Sequence, residues 1–434
     1  MKKSIFSAAA FSVAVVGAVS VAPTTSEAVP AFARQTGAAC LNCHFQAIPR
    51  LTAFGRNFKM GAYRDMGDQA LLEDDHLSLP AVFNASLLFK ARIANNNTAV
   101  AGVAGAPGTG GAFNSGNSTA LQWPDETALL IGGRYGEHIG GLTEWNGGPL
   151  SYKLAYIMDL ESGILGFVGG STDALGTAYL FQDPSNALVR NTRGSQFRPG
   201  FFAKTSVQQG VTGLGVYGYF NDMIYVALGQ FVANAGVNPA NGKIVAAGAK
   251  TNGAVADFMT WARLAITTEV AGMDTVLGVY SISGKQAKNA VAFAGAVTAK
   301  ETTTGIDAQF QGDVGDDLSL GLYINYQFSG KRYGLIAAQP STVAMQDLTG
   351  FYGLGTLSFG HAGVRLGYAS ETDKVVPALG SSPTVKTMVL GGWYSLAQNV
   401  ELDLEYNSAK TSGGVVGTVA ATSNTTTLVL EYVY

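Results

Sequence analysis

The sequence predicts a mostly β protein, an antiparallel transmembrane β-barrel with a small α-helical segment at its N-terminus. Three observations carry this prediction. Apolar and polar residues alternate along many segments, and Asp, Glu, Lys and Arg together make up only 13% of the 434 residues. The chain also ends on an alternating segment whose last residue is aromatic, Leu428–Tyr434. Such an ending is typical of outer-membrane barrels, which alternate apolar and polar residues along each strand.

The N-terminus has the pattern of a secretory signal peptide. Lys2 and Lys3 precede an uncharged apolar run from Ile5 to Val21, and small residues lead to a cleavage site after Ala28. We therefore expect residues 1–28 to be removed on export. A membrane anchor is the alternative, because the run is borderline in length for a span. The formal net charge of −3 argues against nucleic acid as a partner.

The next feature is a pair of cysteines in the stretch Cys40-Leu41-Asn42-Cys43-His44, and the chain contains no others. A disulfide framework would need more cysteines, a redox Cys-x-x-Cys would open a helix in a βαβ unit, and structural zinc would need four ligands. The spacing instead matches the attachment motif of a c-type haem. We predict one covalent haem c, with Cys40 and Cys43 forming the thioethers and His44 as the proximal iron ligand.

Residues 29–76 form the predicted haem segment. It is too short to build its own core and should rest on a larger body. Its basic side chains suit the haem propionates, with Arg34, Arg56 and Lys59 as candidates. A solvated positive face, or a patch that docks on the barrel wall, explains the same residues equally well.

The sequence leaves several candidates for the second axial ligand of the haem iron. Met60, Met66 and His76 all follow the motif at suitable separations. A methionine would raise the haem potential relative to a second histidine. Packing or loop roles for these residues, with an open or water-bound iron, are the alternatives.

Residues 77–434 form the predicted porin-like barrel. Tyr152–Glu161 and Val400–Asn407 alternate apolar with polar or charged residues over about the length of a tilted membrane-spanning strand. A soluble sandwich or propeller also alternates, but the scarce charges and the aromatic terminus favour a barrel. About 22 residues per strand suggest about 16 strands, with 14 or 18 as the neighbouring even numbers.

Connections of two lengths are expected between these strands. Short ones, such as Asp316-Asp317 and Ala397-Gln398, suit periplasmic turns. Long Gly-, Asn- and Ala-rich stretches suit external loops, and the clearest are Asn95–Asp125, Asn234–Asp257, Gly284–Thr304 and Ser408–Thr425. A barrel of this size has a lumen wide enough to hold the haem segment as a plug.

The motif region resembles the N-terminal signature of fused monohaem cytochrome–porins, the outer-membrane iron oxidases of iron-oxidising bacteria. The likeness covers about 30 residues and rests on Phe32–Gly37, Cys40–Phe45 and Pro49–Lys59. It implies a location in the outer membrane of a Gram-negative bacterium, surrounded by lipid. It also implies one-electron oxidation of extracellular Fe(II) and electron delivery to a periplasmic c-type cytochrome or another soluble carrier.

Two other functions compete with this expectation. A diffusion porin, or a conduit for a donor other than iron, would use the haem segment as a gate or sensor. A soluble periplasmic propeller cytochrome is the third alternative. Electron transfer needs no general acid or base, so we expect no catalytic residues beyond the haem ligands.

Overall fold

The computed structural model describes most of the chain. The described residues are 30–67, 69–75, 77–100, 116–146, 150–172, 182–188, 192–194, 197, 211–233, 258–288, 297–336, 339–375, 384–412 and 421–434. The predicted signal peptide, residue 76 and the whole of the predicted loop Asn234–Asp257 lie outside them.

Three short helices begin the described chain: α1 (Pro30–Thr36), α2 (Cys40–Cys43) and α3 (Ala53–Met60). Pro30 opens α1, where its fixed φ suits the first helical turn. Thr52 caps α3 by accepting a hydrogen bond from the Gly55 N–H. Among the described residues, no helix has the length and apolar character needed to cross a membrane. The predicted small helical N-terminal segment is therefore present.

A two-stranded hairpin links the helices to the barrel. Its strands are β1 (Leu71–Asp74) and β2 (Leu77–Pro80), and they pair antiparallel. The predicted boundary between residues 76 and 77 falls inside this hairpin, and the first barrel strand begins at Ala85.

The sixteen remaining strands close into one antiparallel barrel, as predicted. Each strand pairs with its sequence neighbours, and the last strand pairs with β3 to close the ring. The strands are β3 (Ala85–Val100), β4 (Gly116–Arg134), β5 (Ile139–Trp145), β6 (Ser151–Leu160), β7 (Gly163–Thr172), β8 (Val211–Phe220), β9 (Ile224–Ala233), β10 (Met259–Val270), β11 (Met273–Lys288), β12 (Val297–Asp313), β13 (Leu318–Ile336), β14 (Gln339–Phe359), β15 (Ala362–Val375), β16 (Thr384–Ala397), β17 (Val400–Ser412) and β18 (Ala421–Val433).

Alternation along the strands separates an apolar exterior from a polar interior. In β6, Tyr152 and Leu154 are exposed on the outside, whereas Ser151 and Lys153 are buried in the lumen. In β17, Leu404 faces outward between buried Asp403 and Glu405. Apolar side chains on the outside of a closed barrel face lipid, because a closed barrel leaves no backbone group unpaired in the bilayer. The protein is thus a porin-like barrel of the Gram-negative outer membrane, as predicted.

The apolar exterior leads to a stability prediction. Leu366 points outward from β15 and is exposed, so Leu366→Arg would place a charge against lipid. We expect a loss of about 2–4 kcal/mol in the free energy of unfolding, measured by guanidinium titration in lipid vesicles. Ser412→Arg, at the exposed loop end of β17, is the matched control and should cost close to nothing. Equal losses for both variants would contradict a lipid-facing position for Leu366.

The two ends of the barrel differ. One end carries short turns at 135–138, 161–162, 221–223, 271–272, 314–317, 360–361 and 398–399. The C-terminal residue Tyr434 also lies there, exchanging backbone hydrogen bonds with Leu87 at 2.7 and 2.8 Å. Short turns face the periplasm in barrels of this type, so this is the periplasmic end. The predicted turns at Asp316-Asp317 and Ala397-Gln398 lie at this end.

At the opposite end, the strands extend into ranges that were predicted to be loops. β3 continues to Val100 and β4 resumes at Gly116, inside the predicted loop Asn95–Asp125. The predicted loops Gly284–Thr304 and Ser408–Thr425 are likewise shortened, because β11 runs to Lys288 and β17 to Ser412. These extensions are Asn- and Thr-rich and do not alternate in hydropathy, yet the ladder continues, as in the pairing of Asn95 with Thr119. Backbone hydrogen bonds set strand length there.

Candidate haem-binding site

The helical segment, residues 30–67, sits in the periplasmic mouth of the barrel and is called the plug below. The Cys40 N–H donates to Gln398 Oε1 in one periplasmic turn, at 3.0 Å. Gln46 Nε2 donates to the Ser319 carbonyl beside another turn, at 2.7 Å. The plug therefore contacts the rim at several points.

Both cysteines of the motif lie on α2, a single helical turn. Neither forms a disulfide; Cys40 is buried and Cys43 half-buried. Burial raises the pKa of Cys40 to about 12 and that of Cys43 to about 11. One turn places the two sulfurs on neighbouring positions, an arrangement that can bond to the two vinyl groups of one porphyrin.

His44 follows α2 in an extended conformation and is held by its backbone neighbours. It forms an isolated antiparallel bridge with Leu51, and the Phe45 N–H donates to the Arg50 carbonyl at 2.9 Å. The His44 ring nitrogen Nδ1 lies 3.2 Å from that same carbonyl oxygen. A neutral imidazole that donates from Nδ1 keeps the lone pair of Nε2 for a metal. Burial lowers the pKa of His44 to about 4, which keeps the ring neutral.

These three residues fit a covalent haem. They supply two thiols on one turn, neither of them in a disulfide, and a neutral imidazole with its Nδ1 already directed at a carbonyl. When bound there, a haem supplies one-electron redox chemistry. Among the described residues, no group of three or more His, Cys, Asp or Glu side chains could hold a free metal ion.

Gly55 explains how α3 packs so closely against the motif. A Cβ at this position would lie 2.1 Å from the Cys43 carbonyl oxygen, which is too close for any other residue. The Thr52 N–H also donates to the Cys43 carbonyl, at 3.0 Å. The start of α3 is thus fixed against the end of α2.

The three predicted propionate partners each have another partner in the structure. The Arg56 Nη2 group donates to both carboxylate oxygens of Asp274, at 2.7 and 2.6 Å, and its Nη1 to Gln311 Oε1 at 3.2 Å. Arg34 donates to the Ala85 carbonyl at 2.5 Å. Lys59 Nζ lies 3.4 Å from the Asp183 carbonyl. These side chains attach the plug to the barrel, which matches the docking alternative.

The candidate sixth ligands lie in different surroundings. Met60 is buried in a cluster with Tyr217 and Trp261 of the barrel wall, whereas Cys40 belongs to a separate cluster with Ala33. The Tyr217 hydroxyl donates to the Met60 carbonyl at 2.5 Å. Met66 is half-buried near the end of the plug. His76 lies outside the described residues.

Gln35 is a positioning residue that the sequence did not single out. Its buried amide donates to the carbonyls of Tyr63 and Asp65, at 2.6 and 2.8 Å. Its oxygen accepts from Asn84 Nδ2 at 2.9 Å and from the Arg134 N–H at 3.2 Å. Gln35 thus joins the two ends of the plug to the barrel, and nothing in its local pattern distinguishes it from a solvated glutamine.

A segment of the connection between β7 and β8 also enters the lumen. Its described residues 182–188 and 192–194, called the inner loop below, are almost all buried. Asn186 exchanges hydrogen bonds with the Leu51 backbone, at 3.1 and 2.9 Å. The inner loop therefore contacts the plug directly behind the haem motif.

Buried ion pairs fix the inner loop to the wall. The Arg263 guanidinium bonds to Asp183 of the loop at 2.5 Å and to Asp307 of β12, with one contact at 3.0 Å. Burial is the main cause that raises the pKa of Asp183, and the Arg263 charge opposes it. In this way one wall arginine pairs with two carboxylates inside the lumen.

This triad gives a testable expectation. Arg263→Met would leave two buried carboxylates without their cation, and we expect it to cost about 3–5 kcal/mol of unfolding free energy. Asp183→Asn/Arg263→Met/Asp307→Asn removes the charges together and should recover most of that loss. Guanidinium titration in vesicles measures both variants. A triple variant no more stable than the single one would contradict the pairing.

Comparisons with known proteins find fold likeness only. No family model matches the chain, and no curated protein does. Among solved structures, the chain is similar to the outer-membrane channel DcaP of Acinetobacter baumannii, with 13% identity, a TM-score of 0.48, and coverage of 84% of this chain and 100% of that one. For OmpT of Vibrio cholerae the identity is 12% and the TM-score 0.46, and the match covers 84% of this chain and 100% of that one. For an anion-selective porin from Comamonas acidovorans the identity is 11% and the TM-score 0.47, and the match covers 81% of this chain and 99% of that one.

Proposed function

We propose that this protein is an outer-membrane electron conduit in which a single haem c, bound by the plug, receives electrons from extracellular Fe(II). Cys40 and Cys43 would hold the group covalently and His44 would ligate its iron. The electron would leave at the periplasmic face to a soluble carrier. In this reaction Fe(II) is oxidised to Fe(III) and the carrier is reduced by one electron.

The observation that carries the proposal is the arrangement of His44. Its Nδ1 is already paired with the Arg50 carbonyl, so the ring is oriented with Nε2 free, one residue after a Cys-x-x-Cys turn. The orienting hydrogen bond is the kind that metal-bound histidines generally make.

The position of the plug in the periplasmic mouth supports a conduit over an open pore. The plug occupies the periplasmic mouth, and the inner loop joins it to the wall through Asn186 and Asp183. Arg50, Lys153 and Arg263 are all buried between these parts. Charged side chains in a water-filled channel would be solvated instead.

The direct test is reduction by iron. Purified, haem-loaded protein is mixed with Fe(II) without oxygen, and the haem absorption spectrum is followed. We expect a reduced c-type spectrum within seconds, and none from Cys43→Ser. Dithionite reduction of the same sample is the control. A haem that dithionite reduces and Fe(II) does not would overturn the proposed donor.

One observation favours a second candidate, a diffusion porin with the plug as a gate. Lys90, Arg92, Asp125 and Glu126 line a polar cavity of about 400 Å³ beside β3 and β4. Ser86, on the lumenal face of β3, accepts a hydrogen bond from the plug residue Ala31, so Lys90 and Arg92 also face inward. A large, stable single-channel conductance of the intact protein would support this candidate.

A further inference from the structure

The plug leaves one face uncovered at the periplasmic end. Leu41 of α2 and Phe54 of α3 are 43% and 47% exposed. Their neighbours Asn42, Ala53 and Asn57 are also exposed, and none is charged. Cys43 lies half-buried between them. The face next to the haem motif is therefore an exposed, mostly apolar patch.

Acidic side chains, called the acidic rim below, stand on the periplasmic turns, at the same end of the barrel as this patch. Exposed carboxylates stand on the connections at 161–162, 221–223 and 314–317, namely Glu161, Asp222, Asp316 and Asp317. The turn that holds Asp316 and Asp317 precedes Ser319, whose carbonyl bonds to the plug residue Gln46. Asp316 and Asp317 thus stand on a turn that contacts the plug.

No exposed lysine or arginine balances the rim among the residues described at this end. Arg34, Arg64 and Arg134 are half-buried there, and Arg64 is paired with Asp159. At the opposite end, exposed Lys386 and Lys410 face each other across β16 and β17. Among the described side chains, the two ends therefore carry opposite exposed charge.

We propose that the apolar patch and its acidic rim dock a soluble electron-carrier protein with a lysine-rich surface around its own redox group. The inference rests on the proposed function, because a conduit needs an acceptor on this side. Complementary charge raises the association rate and orients the partner, while an apolar centre excludes water where the redox groups approach. The same rim would repel anionic lipid surfaces and acidic carriers.

The test uses the complete, haem-loaded barrel in vesicles or detergent, reduced with dithionite so that Fe(II) plays no part. The probes are a lysine-rich mitochondrial-type cytochrome c and the same protein with its lysines succinylated. We expect the native cytochrome to be reduced at least about 10-fold faster at low ionic strength, with the advantage lost as added salt screens the charges. Equal rates for the two probes, or a rate independent of salt, would overturn the proposal.

Two charge-reversal variants locate the surface. Asp316→Lys/Asp317→Lys should slow reduction of the native cytochrome about 10-fold or more at low salt and speed that of the succinylated form. Lys386→Glu/Lys410→Glu changes charge by the same amount at the other end and should leave both rates unchanged. A change of equal size and opposite direction in the Lys386→Glu/Lys410→Glu variant would show a net-charge effect and contradict a docking surface.

A binding measurement separates this inference from the proposed function. Salt-sensitive co-sedimentation of the native cytochrome with barrel-containing vesicles should persist in Cys40→Ala/Cys43→Ala, because the rim does not depend on haem. Salt-sensitive binding, together with no reduction of the haem by Fe(II), would support the docking surface and contradict the conduit. Reduction of the haem by Fe(II), together with no salt-sensitive binding, would support the conduit and contradict the docking surface.

Discussion

The Cys40→Ala/Cys43→Ala protein should carry no covalent haem. After denaturing electrophoresis, the unmodified protein should show haem-dependent peroxidase staining and the double variant none. The reason is that both thioethers come from this one helical turn, and the chain has no other cysteine. The barrel should still assemble, because its closure depends on strand pairing and not on the plug thiols.

The neighbouring residue Leu41 provides the control for this experiment. It lies between the two cysteines on α2, and its side chain is exposed, so Leu41→Ala should keep full staining. Heat-modifiable gel mobility reports barrel assembly in every sample. An unmodified protein that assembles when expressed with a haem-attachment system, yet shows no staining, would contradict a c-type haem.

The second large effect concerns the attachment of the plug. Arg56 bonds to both oxygens of Asp274 and is buried, whereas Arg64 bonds to Asp159, whose side chain is 54% exposed. Arg56→Met should weaken attachment by about 3 kcal/mol, because a partly buried carboxylate loses its cation. Such a loss raises the ratio of open to closed plug by about two orders of magnitude. We therefore expect a clear increase in the ion conductance of planar bilayers.

Arg64→Met is the matched control for that substitution. An exposed ion pair contributes about 0–1 kcal/mol, so this variant should conduct like the unmodified protein. Equal conductance for Arg56→Met and the unmodified protein would indicate that the Asp274 pair does not hold the plug closed.

Sequence alone predicted the barrel because each strand alternates between lipid and lumen. In β17, Leu402 and Leu404 point outward and Asp403 inward, as the period of two requires. The polar strand ends opposite the periplasmic turns were not predicted, because backbone hydrogen bonds hold them together and their side chains do not alternate in hydropathy. The haem prediction could be made from sequence because the residues it needs are local: two thiols and an imidazole within five residues.

The parts of the site that sequence did not predict depend on distant contacts. Gln35 acts through Asn84 and Arg134, and the inner loop reaches the plug through Asn186. Arg56 pairs with Asp274, a residue 218 positions away. Such contacts follow from barrel closure, which brings together residues that no local pattern connects.

The most direct test of the central claim is transmembrane electron transfer. Vesicles containing the protein enclose an oxidised, lysine-rich cytochrome c, and Fe(II) is added outside without oxygen. We predict reduction of the enclosed cytochrome by the haem-loaded protein and none by Cys40→Ala/Cys43→Ala, while a trapped Fe(II) chelator stays colourless. Enclosed cytochrome that stays oxidised would contradict an electron conduit. So would equal reduction with the double variant together with colouring of the trapped chelator, because Fe(II) itself would then have entered the vesicles.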